Sequence, residues 1–139
     1  MTYEEIMALQ RKEDEKKPRR RSSYDEHALQ CSEVRYMRGV YPEYRHLFFC
    51  VPNGQKRTGR QTAWLKEEGL VNGVSDMLFL KPNSNHGYLC IENKTKTGKQ
   101  SDEQKDFQEE VEKNGGKYVI IRSFDEFVKV IDDYLNGEI

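Results

Sequence analysis

The sequence predicts an α/β (α+β) domain in which helices flank a mixed β-sheet, in the order α-β-α-β-β-α-β-α. Three observations support this. Apolar residues recur at helical spacing in several segments, short β-branched or aromatic runs separate them, and two such runs face each other across a Pro/Asn/Gly-rich connection. A chain of 139 residues suits one domain with one core. Residues 1–21 read as a charged, flexible arm, because Arg11 to Arg21 is charged throughout except at Pro18 and has nothing to bury. Residues 22–139 read as the folded domain. Its first helix is expected to start at a capping box of Ser23 and Glu26, to place Ala28, Cys31, Val34 and Met37 on one face, and to end near Gly39. Leu47 to Val51 is an apolar run closed by Pro52-Asn53-Gly54, as in a buried strand followed by a turn. Ala63-Trp64-Leu65 belongs to a second helix that stops at Gly69, with Gly59 weakening its start.

Val74 to Leu80 and Tyr88 to Glu92 are the two strands of a hairpin, joined through Lys81 to Gly87. Ser101 to Gln104 is a second capping-box pattern, opening a helix with Phe107 and Val111 on its apolar stripe and Gly115-Gly116 at its end. Tyr118 to Ile121 is uniformly apolar, as an interior strand would be. The last helix begins at Ser123 and turns Phe124, Phe127, Val128, Ile131 and Leu135 toward the core.

Composition narrows the function classes. The net charge of −1 gives no overall field for a nucleic-acid partner, so any basic surface must be local. Three cysteines, Cys31, Cys50 and Cys90, lack the spacing of a zinc site or a disulfide framework, which points to a reducing, cytoplasmic setting. No apolar run is long enough to span a bilayer, so no membrane partner is expected.

The chemistry concentrates at Asp76, Glu92 and Lys94. Residues two apart on a strand share a face, so Glu92 and Lys94 point together from the end of the apolar run Tyr88 to Ile91, and neither side chain belongs in a core. Asp76 opens the neighbouring apolar run. Two carboxylates that close repel unless a cation or a lysine sits between them. Mg²⁺ suits the arrangement, because it takes one or two protein carboxylates and fills its shell with water and substrate phosphate; Mn²⁺ should substitute. Asp76, Glu92 and the backbone carbonyl of Asn93 are the expected ligands, and Lys94 would orient the attacking water or neutralise developing charge. E-x-K alone is a weak motif, and as a surface ion pair it would contribute little. Context strengthens it: an Asp on the preceding strand, the turn Gly73-Val-Ser-Asp76 and the polar tail after Lys94.

Taken together, VPNG at Val51 to Gly54, LKEEGLVNGVSD at Leu65 to Asp76, YLCIENK at Tyr88 to Lys94 and SDEQKDFQEEVEKNGGKYVII at Ser101 to Ile121 resemble the VRR-NUC (virus-type replication-repair nuclease) domain family. This is a compact branch of the PD-(D/E)xK nucleases. The resemblance implies a restriction-endonuclease-like core, a metal site at Asp76 and Glu92, and a catalytic role for Lys94. It further implies that Glu26 approaches as another acid and that Gln104 joins the catalytic set, although both also fill the last place of a capping box. In two places the chain departs from the superfamily pattern. Ser75 stands where a proline is usual, and Asn93 stands where an apolar residue is common, on the side of its strand that should meet the core and therefore in need of a partner.

The expected activity is metal-dependent endonucleolytic hydrolysis of DNA, with branched or junction DNA favoured by the resemblance and a phage or repair context suited to it. Asn53, Lys56, Arg57 and Arg60, after the first strand, and Lys96 and Lys99, after the acids, are the candidates for contacting the DNA backbone. A homodimer would bring two sites to two strands, and no small-molecule cofactor is expected. The rival readings are a DNA-binding module of the same fold without turnover, and an RNA-cleaving nuclease.

Overall fold

The structure, a computed structural model, describes residues 1–15, 22–52 and 58–139. In chain order the elements are α1 (Tyr3–Glu15), α2 (Ser22–Val40), a 3₁₀ turn (Pro42–Tyr44), β1 (Phe48–Cys50), α3 (Gly59–Glu67), β2 (Met77–Phe79), β3 (Tyr88–Asn93), α4 (Asp102–Lys113), β4 (Gly116–Ile121) and α5 (Phe124–Leu135). This is the predicted order with one helix added in front. The four strands form one mixed sheet in the order β1-β2-β3-β4. The first two pairings are antiparallel and β3 with β4 is parallel, α4 making the crossover. Among the described residues no helix is long and apolar enough to cross a membrane.

Strand parity distributes the β3 side chains between two layers. Leu89 and Ile91 join the larger core with Met77, Phe79, Ile121 and the α5 residues Phe127, Ile131 and Tyr134, beneath α2 and α5. Cys90 faces the other way, into a smaller cluster with Val111 of α4 and Tyr118. α4 therefore covers one face of the sheet, and α2 with α5 the other.

Several expectations change. Residues 3–15 are a helix and not a loose arm: Thr2 and Glu5 form a capping box, and Ile6 is buried in the main core. Burying one isoleucine contributes about 2 kcal/mol, and Ser32 to Gln10 and Arg35 to Glu13 bonds of 2.6 and 3.0 Å add to the docking on α2. α2 already includes Ser22, so Ser23 lies inside the helix and not at its cap. Its buried positions are Ser32, Glu33, Tyr36 and Met37, while Cys31 is exposed. β1 is an edge strand with Phe49 and Cys50 exposed, not a buried one. β4 is the other edge; it reads as apolar because helices cover both its faces, not because strands flank it. α3 forms despite Gly59, helped by a capping box of Thr58 and Gln61.

Candidate active site

The end of β3 extends its parity past the core, so Glu92 continues the α4-facing side and Asn93 the α2-facing side. Glu92 is 3% exposed. Its Oε1 accepts a 2.9 Å hydrogen bond from Gln104 Nε2, and Lys94 Nζ stands 3.6 Å from the same oxygen. Its Oε2 is buried with no hydrogen-bond partner. Asp76 lies one residue before β2 and not within it. Continuing the pairing Met77 with Ile91 sets Asp76 opposite Glu92. Two bonds hold it there: its main-chain carbonyl accepts from Val51 N–H at 2.8 Å, and its Oδ2 accepts from Asn93 N–H at 2.8 Å. The side chain thus takes over the ladder where β2 ends.

Burial pushes the Glu92 carboxyl up to about 7, reinforced by the negative charge of Asp76 and opposed by Lys94. Asp76 is also raised, first by burial and then by Glu26, against the lowering effects of Asn93 N–H and Lys94. For both acids, burial outweighs the one positive charge beside them, that of Lys94. Among the described residues no three His, Cys, Asp or Glu side chains converge on one point, so the protein offers two carboxylates and no cage. An all-oxygen pair with one buried, unpartnered carboxylate oxygen fits a hard divalent ion that retains water and substrate oxygens.

Gln104 makes two contacts at once. Its Oε1 accepts Ser101 N–H at 2.9 Å, closing the capping box of α4, while its Nε2 holds Glu92. Gly73 permits the approach. With φ of +82°, it lies so near α4 that a Cβ would be 2.5 Å from the Glu103 carbonyl oxygen. Glu26, expected to cap its helix, instead sits within α2, half-buried at the rim of the site.

Lys94 lines one cleft and Glu92 another. One of about 540 Å³ is lined by Glu26, Lys94, Lys96 and Arg122 among others. The other, of about 270 Å³, is lined by Gly73, Asp76, Glu92 and Gln104 among others. Lys99 is exposed on the same loop as Lys96. Arg122 Nη1 fixes that loop through the Thr95 and Gly98 carbonyls at 2.6 and 2.7 Å. Arg60 is exposed on α3, its guanidinium 5.1 Å from the Trp64 ring centroid. Asn53, Lys56 and Arg57 lie outside the described residues.

Sequence reasoning missed Glu33. This α2 residue is 0% exposed, its Oε2 accepts from Asn93 Nδ2 at 3.0 Å, and burial pushes its carboxyl up to about 8. It is the partner that Asn93 required, and an acid two turns beyond Glu26 on the same helix face was the available signal.

No curated protein matches the chain. A solved structure described as a VRR_NUC domain protein shares its fold, with a TM-score of 0.70 and 19% identity over 80% of this chain and 88% of that one. The family model for the VRR-NUC domain matches residues 11–125. By that match, the chain belongs to the VRR-NUC family and carries a nuclease-type domain.

Proposed function

We propose that the chain is a Mg²⁺-dependent endonuclease that hydrolyses phosphodiester bonds in DNA, with branched DNA as its preferred substrate. The observation that supports this best is Glu92, whose Oε1 is held by Gln104 and Lys94 while its Oε2 is buried and unpartnered across from Asp76. Asp76 and Glu92, with the Asn93 carbonyl as a further oxygen, would hold Mg²⁺, or Mn²⁺ in its place. When bound, such an ion supplies positive charge at the phosphoryl oxygens during in-line displacement. Lys94 hydrogen-bonds the attacking water and offsets the charge that develops beside it. Gln104 keeps Glu92 in one rotamer, so that both acids are aligned before substrate arrives. Lys96 lines the larger cleft and Lys99 is exposed on the same loop, where the two would meet the DNA backbone without reading its sequence.

Cleavage of supercoiled plasmid and of a four-way junction in Mg²⁺, with matched RNA alongside, tests the reading. Glu92→Gln and Lys94→Ala should each lose cleavage; equal cutting by wild type and both variants would overturn the assignment. A homodimer would set a second copy of the site on a second strand. Light scattering should then show a dimer with junction DNA, and a monomer both free and with DNA would rule it out.

A further inference from the structure

Asn93 is the joint of the site. Its main-chain N–H holds the Asp76 carboxylate, its neighbours in the chain are Glu92 and Lys94, and its side chain is bonded to Glu33 of α2. Glu33 and Asn93 are 0% and 1% exposed. Yet the pair is only half satisfied, since Glu33 Oε1 and Asn93 Oδ1 are both buried without a hydrogen-bond partner. A pair selected for stability alone would be apolar, because replacing a buried, imperfectly bonded polar pair by hydrocarbon of similar volume is often neutral or stabilising. What hydrocarbon cannot supply is direction. The 3.0 Å bond fixes one atom of α2 against one atom of β3. Glu26 lies on the same face of α2, two turns earlier, so the same tie sets its approach to Asp76. The charge of Glu26 raises the Asp76 carboxyl, and that of Asp76 raises Glu33 in turn.

We propose that Glu33 is a positioning residue: through Asn93 it fixes the end of β3, and with it the meeting point of Asp76, Glu92 and Lys94. As a role in catalysis this rests on the nuclease reading, but its structural half does not. Three variants test it: Glu33→Gln, which keeps an acceptor for Asn93 Nδ2; Glu33→Leu; and the double variant Glu33→Leu/Asn93→Leu. Amide hydrogen exchange at position 93, thermal melting, Mn²⁺ affinity and steady-state cleavage are measured on each.

The double variant should melt no lower than wild type while its main-chain amide at position 93, corrected for intrinsic rate, exchanges about tenfold faster. Mn²⁺ affinity or kcat should fall about 10- to 100-fold, with KM for DNA little changed. Glu33→Gln should restore both the exchange rate and the cleavage. Wild-type protection of the amide at position 93 in the double variant would overturn the proposal, as would a loss of activity that merely tracks a lower melting temperature. If wild type cuts no nucleic acid, the nuclease reading fails, and the exchange measurement still decides whether Glu33 holds Asn93 in place.

Discussion

The N-termini of α3 and α4 are built alike and do different things. In each, a hydroxyl residue caps the helix and a glutamine three positions on returns the bond. Thr58 and Gln61 do so at 3.0 and 3.2 Å, and Ser101 and Gln104 at 2.9 and 3.2 Å. At α3 the device ends there: Gln61 is exposed and the helix buries no residue. At α4 the same amide has a second end in use, its Nε2 on Glu92, and Gly73 lets the loop between α3 and β2, which carries Asp76 beyond it, lie directly against the first turn of the helix. A capping box therefore becomes part of a site through what the helix end is brought against, not through its own residues.

Four experiments would break or sharpen that contrast. Gln104→Glu has the largest expected effect. Glutamate caps as well as glutamine and suits a helix N-terminus, so the fold should hold while a third carboxylate faces Glu92. Cleavage should drop about a hundredfold, and unchanged kcat would show that only the cap matters.

Next comes pH. A divalent ion needs ionised carboxylates, and Glu92 is raised from 4.5 to about 7. Mn²⁺ affinity measured by calorimetry should therefore climb with pH and level off above that value, by about tenfold per unit below it. Removing a donor that favours the ionised form raises a carboxyl pKa further. Gln104→Ala should move the plateau to higher pH, whereas Gln61→Ala should leave it in place.

Third, Gly73→Ala combines a positive φ with a clash against the α4 backbone. It should cost about 2 kcal/mol in urea unfolding and reduce cleavage as α4 is pushed from Glu92. Wild-type stability would mean that the loop and helix are less closely fitted than described. Smallest is Gln61→Ala, which should cost about 0.5–1 kcal/mol of stability and leave cleavage unchanged. Loss of activity there would give α3 a role that its exposed surface does not suggest.

Much of this was legible in the sequence because its causes are local. The capping box of α4 and the Ser123 cap of α5 are written within four residues, strand parity paired Glu92 with Lys94, and the hairpin brought Asp76 to them. α1 was hidden because one buried side chain, Ile6, docks a segment whose composition otherwise reads as solvated. The buried face of α2 was misread because two of its positions, Ser32 and Glu33, are polar and find partners on α1 and β3. β4 passed for an interior strand because a strand's apolar character reports what covers its faces, and helices serve as well as sheets. For α1 and α2 the deciding contact lies far along the chain, whereas β4 is covered in part by the two helices that flank it in sequence.

The separation along the chain also has a temporal meaning. Asp76 and Asn93 are 17 residues apart and close through a hairpin, while Glu33 and Asn93 are 60 apart. Closing a longer loop costs more entropy, and non-local contacts form late. During folding the two acids are thus expected to meet before α2 is fastened behind them. The last bond to form would then be the one that turns a cluster of repelling charges into a fixed geometry, and a chain stalled before that step would hold the right residues in the wrong place.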